Sequence, residues 1–158
     1  MIKQSSITAG LSFGLTSGVI TTLGLLIGLE AGTGSRTAVL AGILTIAVAD
    51  ALSDALGMHI AEESDKKNNR AAIWQTTITT FLVKFFIATT FIIPVILLSM
   101  DMAVIVSAVW GLFLIITLTF FIARKQKKNP WKSVSEHVLI SIVVIVTTYY
   151  VGNWVASL

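Results

Sequence analysis

Two aspartates within a long apolar segment are the residues of this sequence best suited to chemistry. Asp50 and Asp54 are four positions apart, so both carboxylates lie on one face of a helix. Four further residues with metal-ligand chemistry follow on this face or beside it: Met58, His59, Glu62 and Glu63. Carboxylates bind hard divalent cations, whereas thioether and imidazole groups suit softer transition metals. The spacing therefore predicts a cation path, with a divalent cation as cargo rather than as a permanently bound cofactor.

A lysine in a later apolar segment offers a second interpretation of the aspartates. An aspartate in the middle of a membrane costs about 2.5–3.5 kcal/mol on insertion scales, and an opposite charge offsets that cost. Lys84 lies about 11 residues into its segment, or about 16 Å deep, which is similar to the depth of Asp50. The two interpretations are compatible, because Lys84 could occupy the site when the cation is absent and compete with it.

The composition places these residues in a membrane protein. Hydrophobic residues make up 55% of the 158 positions and charged residues 12%, compared with about 25% charged residues in soluble domains. Intrinsic disorder is excluded, and a cytosolic enzyme is disfavoured. The absence of cysteine excludes disulfides, iron–sulfur clusters and thiolate zinc sites. The net charge of +3 resides beside apolar segments, so we expect no nucleic-acid partner.

Five apolar segments are long enough to cross a bilayer, which takes about 20 residues per helix. They cover roughly residues 8–29, 37–60, 73–99, 102–123 and 133–156. The sequence therefore predicts an all-α integral membrane protein, with residues 1–158 forming a single transmembrane domain surrounded by membrane lipid. Pro94 should kink the third helix.

The basic residues predict the orientation of the chain. Lys3 precedes the first segment, and lysine and arginine cluster in the loops 61–72 and 124–132. The loop 30–36 and the turn at 100–101 carry one basic residue or none. Because cytoplasmic loops are enriched in lysine and arginine, we expect the N-terminus inside and the C-terminus outside. The short loops and the lack of a targeting segment favour a prokaryotic inner membrane.

Glycines with regular spacing mark the first segment. Gly10, Gly14 and Gly18 recur every four residues. Small residues at this spacing allow transmembrane helices to approach closely. The pattern leaves two alternatives open, namely packing within the chain or the interface of a homodimer.

The first two segments resemble those of the vacuolar iron transporter family. Residues 13–29, FGLTSGVITTLGLLIGL, resemble its first span, and residues 41–64, which include ADALSDALGM, resemble its second. The five spans and the predicted orientation also fit a short form that lacks the cytosolic metal-binding insert. The resemblance implies a homodimer that exports ferrous iron (Fe²⁺) or manganese (Mn²⁺) from the cytosol in exchange for protons.

The resemblance also assigns roles to individual residues. The path would run between the first two spans of each subunit, and Ser17 would line it at the position of the family's first-span acidic residue. Asp54 stands at the position of a family methionine, and Met58 at that of a family acidic residue. Collection of cytosolic metal would fall to three residues near the membrane edge, which are His59, Glu62 and Glu63.

Two other classes of function are compatible with paired aspartates. One is a non-transporting membrane scaffold or subunit in which the aspartates and Lys84 form a structural ion pair. The other is a metal-dependent lipid-headgroup enzyme. Those enzymes carry a second acidic pair upstream and a glycine where this sequence has Ile46, so we expect that the protein is not an enzyme.

Overall fold

Helices make up nearly all of the chain that the structure describes, which is residues 4–65 and 68–158 of a computed structural model. The helices are α1 (Gln4–Thr33), α2 (Arg36–Ser64), α3 (Arg70–Thr90), α4 (Ile92–Leu97), α5 (Met100–Lys125) and α6 (Pro130–Ala156). No strand occurs in these two ranges. Three of the basic residues that predict the orientation lie outside the described residues: Lys3, Lys66 and Lys67.

Five helices are long and apolar enough to span a membrane, as the sequence predicts. They are α1, α2, α3 together with α4, α5, and α6. Each is longer than its apolar segment, because polar residues continue the helix into the loops. Three side chains cap helix N-termini by accepting hydrogen bonds from backbone N–H groups: Ser35, Asn69 and Asn129.

The third span is interrupted near its outer end. α3 ends at Thr90, and α4 begins at Ile92 after a break at Phe91. Pro94 has no N–H group to donate to the carbonyl of Thr90, so the helix cannot continue through this point with regular bonding. The kink predicted at Pro94 is thus present as a break between two helices.

α1 is the central helix and packs on α2, α3, α5 and α6. Its glycines allow close contact with α3. A Cβ atom at Gly10 would lie 2.8 Å from the carbonyl oxygen of Thr76, and one at Gly14 would lie 3.0 Å from that of Thr80. A Cβ at Gly18 would lie 3.3 Å from Ile87. The glycine face is therefore filled by α3 of the same chain, and a dimer would need another surface.

The outer surface of the bundle is apolar. Large hydrophobic side chains are exposed along α2, α3, α4, α5 and α6, including Leu56, Phe86, Phe113 and Leu139, whereas the central helix α1 exposes Phe13. Exposure of so large an apolar surface to water is unfavourable, whereas lipid tails solvate it. Length, composition and this surface together indicate a multi-pass membrane protein.

Candidate functional site

Lys84 of α3 lies between the two aspartates of α2. Its Nζ atom is 2.5 Å from Oδ2 of Asp50 and also donates a hydrogen bond to Oδ2 of Asp54. Asp50 and Lys84 occupy the midpoints of spans Arg36–Ser64 and Arg70–Leu97. The ion pair that the sequence offers as one interpretation therefore forms, halfway along the two helices.

Ser17 of α1 completes the cluster. Its hydroxyl donates to Oδ2 of Asp54 at 2.6 Å and accepts a hydrogen bond from Nζ of Lys84 at 2.9 Å. The neighbouring Gly18 packs closely on α3 at this point, because a Cβ at that position would be 3.4 Å from the Lys84 Cα atom and 3.3 Å from the Ile87 side chain. Three helices thus converge on one group of four polar side chains, which we call the Asp–Lys cluster: Ser17, Asp50, Asp54 and Lys84.

The charges of the Asp–Lys cluster do not cancel. Two carboxylates face one ammonium group, which leaves one excess negative charge when all three are ionised. The contact between Asp50 and Lys84 has the distance of an ion pair without the geometry of a hydrogen bond. Oδ2 of Asp50 is buried and accepts no hydrogen bond from any described residue. Asp50 is therefore the less satisfied carboxylate, and this imbalance favours the binding of a further cation or proton.

The cluster is closed on one side and open on the other. The Lys84 side chain is only 3% exposed, whereas those of Asp50 and Asp54 are 30% and 22% exposed. The two aspartate side chains are therefore partly exposed at the surface of the helix bundle, and a cation or proton could reach them there without passing Lys84.

Small residues form the surface of α2 beside the aspartates. They recur every four residues and are exposed: Ala41, Thr45, Ala49, Ser53, Gly57 and Ala61. A Cβ atom added at Gly57 would meet nothing within 4 Å. We call this surface the small-residue face of α2. Unlike the glycine face of α1, it has no partner among the described residues.

Four predicted ligands lie away from the cluster. His59 shares a hydrogen bond of 2.9 Å with the Thr77 hydroxyl and packs edge-on against Trp74. Glu62 accepts a hydrogen bond from Asn68 at 2.7 Å. Glu63 is exposed. Met58 lines an open cavity near the C-terminal end of α5 and the N-terminal end of α6.

The oxygen atoms available to a metal in one subunit are therefore few. In the two ranges that the structure describes, no three histidine, aspartate or glutamate side chains converge on a position that could hold a metal ion. Asp50, Asp54 and the Ser17 hydroxyl supply the oxygen ligands that lie together. Water or a second copy of the chain could supply further ligands.

The sequence interpretation missed the small-residue face of α2. Its signal was present, since Ala49, Ser53 and Gly57 repeat every four residues just as Gly10 and Gly14 do. No model of a known protein family matches the chain, and no curated protein matches it. The likeness to the vacuolar iron transporters therefore remains an expectation that rests on the residues quoted above.

Proposed function

We propose that the protein transports cations across a membrane, and that Asp50 and Asp54 bind the cation in transit. Ferrous iron and manganese are the first candidates. The observation that carries the proposal is the Asp–Lys cluster halfway along the spans, in which two carboxylates share one ammonium group. Two carboxylates with one ammonium group are costly in an apolar bundle, and residues of this kind within a membrane commonly mark ion or proton paths.

Lys84 supports an exchange mechanism. Its ammonium group contacts oxygen atoms of both aspartates and of Ser17, which is the position that a bound cation would need. A divalent cation added to the cluster would change its net charge from −1 to +1. If Lys84 then releases its proton, the net charge becomes zero. Binding of the cation with loss of one proton would couple cation transport to proton transport. Export of the cation from the cytosol is the direction that the resemblance implies.

A homodimer would supply the missing ligands. The small-residue face of α2 adjoins Asp50 and Asp54, and small residues allow two helices to approach closely in lipid. A second copy packed on this face would bring a second pair of carboxylates toward the first. We propose α2 for this interface rather than α1, because the α1 glycines pack on α3.

The orientation of the proposed transporter follows from its basic end. Arg124, Lys125 and Lys132 are exposed where α5 meets α6. Phe120 and Trp131 pack edge to face at the same end, as aromatic residues do at membrane interfaces. We therefore propose that this end faces the cytoplasm, in a prokaryotic inner membrane, with the N-terminus inside and the C-terminus outside.

The structural-scaffold alternative has its own support. Lys84 contacts both aspartates, and one subunit offers no group of three acidic or histidine ligands among its described residues. A permanent ion pair would need nothing more than these contacts. The two functions make opposite predictions about metal flux.

Measurements of metal-ion flux in proteoliposomes distinguish the transporter from the structural scaffold. We expect the wild type to carry Fe²⁺ or Mn²⁺, with Zn²⁺ and Co²⁺ tested in parallel, and Asp54→Asn to lose at least 90% of the flux (about tenfold, or about 1.4 kcal/mol). Asp101→Asn is the matched control, because Asp101 is exposed at the start of α5 and away from the cluster. Flux equal to that of empty liposomes, or equal flux in wild type and Asp54→Asn, would contradict the proposal.

A further inference from the structure

An open cavity lies at the basic end of the bundle, between α1, α2, α5 and α6. Its volume is about 350 Å³, within the range of about 300–1,000 Å³ that is common for small-ligand sites. Phe13, Ile122 and Ala123 form an apolar part of its wall. The cavity is separate from the Asp–Lys cluster, none of whose residues line it.

The polar part of the wall contains two basic residues. Lys128 and His137 line the cavity, and no carboxylate does so among the described residues. The other polar residues that line it are uncharged: Ser12, Thr16, Thr119, Gln126 and Ser133. Glu136 is adjacent to His137 in sequence but is exposed and does not line the wall. A divalent cation would meet an ammonium group without a compensating acid. The charge of the cavity therefore favours an anion.

A specific turn places Lys128 at the cavity. Lys127 has a φ of 57°, and its N–H donates to the carbonyl of Arg124 at 3.1 Å. The N–H of Lys128 donates to the carbonyl of Ala123 at 3.0 Å. This pair of bonds is a Schellman motif, and it satisfies carbonyl groups at the end of α5 that would otherwise repel an anion.

His137 is held with one ring nitrogen fixed. Its Nδ1 atom is 2.8 Å from the carbonyl oxygen of Ser133, and since a carbonyl only accepts, Nδ1 must carry the hydrogen. Nε2 remains for a ligand and donates when the ring is protonated. The first N–H groups of α6 are already bonded to Asn129, so side chains rather than backbone would recognise the ligand.

We propose that this cavity binds an anionic phospholipid. The phosphate would lie against Lys128, Ser133 and His137, and an acyl chain would follow the apolar wall at Phe13 and Ile122. Two features favour a lipid: the apolar wall, and the position of the cavity beside the exposed basic residues of the α5–α6 loop. Basic pockets between spanning helices bind anionic headgroups by this chemistry. The proposal is independent of cation transport.

Lipid binding to the purified full-length protein tests the proposal. Native mass spectrometry would count phosphatidylglycerol and phosphatidylcholine molecules retained by the wild type and by Lys128→Gln. We expect preferential retention of phosphatidylglycerol and an affinity about fivefold lower in Lys128→Gln, which corresponds to about 1 kcal/mol for one basic group near a membrane surface. His137→Ala should weaken the same binding.

The matched control is Lys125→Gln, since Lys125 is exposed in the same region and does not line the cavity. It should retain phosphatidylglycerol within twofold of the wild type. Equal retention of the two lipids would overturn the proposal, as would an equal loss in Lys125→Gln, which would indicate diffuse surface attraction. Displacement of the lipid by an equal concentration of glycerol phosphate would also overturn it, in favour of a free-anion site. Equal melting temperatures of Lys128→Gln, His137→Ala and Lys125→Gln in phosphatidylcholine control for folding.

Discussion

Removal of Lys84 should destabilise the protein in a way that a bound cation can reverse. The substitution Lys84→Met keeps a long side chain but leaves Asp50 and Asp54 without their counter-ion. Loss of one partner from a buried ion pair costs about 3–5 kcal/mol. Because the two aspartate side chains are 30% and 22% exposed, residual solvation places the expected loss near the lower end, at about 3 kcal/mol.

Manganese should restore part of this stability. Without the competing ammonium group, Mn²⁺ would bind the carboxylates of Lys84→Met more tightly than those of the wild type. A ligand at one hundred times its dissociation constant stabilises the folded state by about 2.7 kcal/mol, so saturating Mn²⁺ should recover most of the loss. The assay is reversible unfolding in mixed detergent, measured with and without Mn²⁺.

Two further variants control this experiment. Lys132→Met removes an exposed lysine and should leave the free energy of unfolding unchanged. Asp50→Asn combined with Lys84→Met should recover stability and lose the response to Mn²⁺. If Lys84→Met is destabilised and Mn²⁺ does not restore it, the cluster is a structural ion pair and the exchange mechanism is refuted.

The remaining predictions concern packing, hydrogen bonding and the turn before α6. Ser17→Ala removes the hydroxyl that donates to Asp54 and should lower the free energy of unfolding by about 1.5 kcal/mol, measured by the same unfolding assay. Gly14→Leu should cost about 1–3 kcal/mol because α3 leaves no room for a side chain. Gly57→Leu should preserve the fold of the single chain but dissociate the proposed homodimer, as measured by light scattering in detergent. Lys127→Gly should raise the free energy of unfolding by about 0.5–1 kcal/mol. The φ of 57° costs a residue with a side chain about 1–2 kcal/mol, and the greater freedom of glycine in the unfolded chain offsets part of this gain. An unchanged free energy of unfolding in chemical denaturation would contradict this expectation.

The spans were predictable from the sequence because lipid imposes a strict condition on each of them. A helix surrounded by hydrocarbon must be apolar over about 20 residues, and this signal does not depend on tertiary contacts. The ends of the helices were harder to predict from the sequence. Ser35, Asn69 and Asn129 begin helices before the apolar residues start, and such capping is local chemistry that hydropathy does not record.

The centre of the candidate site was predictable for a geometric reason. The spacing of Asp50 and Asp54 fixes a common helix face, and the rise per residue places Lys84 at a matching depth. Both inferences need only helical geometry. The structure joins these residues as the geometry requires.

The remaining ligands could not be placed from spacing alone. His59 follows the aspartates at nearly helical intervals, but its side chain packs on Trp74, a residue of another helix. Likewise, Gly14 and Gly57 belong to similar patterns of small residues, yet only Gly14 is covered by a neighbouring helix. Which face turns inward depends on how the helices rotate against each other, and periodicity within one helix does not determine that rotation.

Binding of Mn²⁺ to the purified protein tests whether Asp50 and Asp54 form a cation site. Electron paramagnetic resonance would measure bound Mn²⁺ in the wild type and in Asp50→Asn combined with Asp54→Asn, while a pH indicator in weakly buffered solution records released protons. We expect saturable Mn²⁺ binding in the wild type, release of about one proton per bound ion, and loss of both signals in the double variant. Equal Mn²⁺ binding in the two proteins, or none in either, would contradict this expectation.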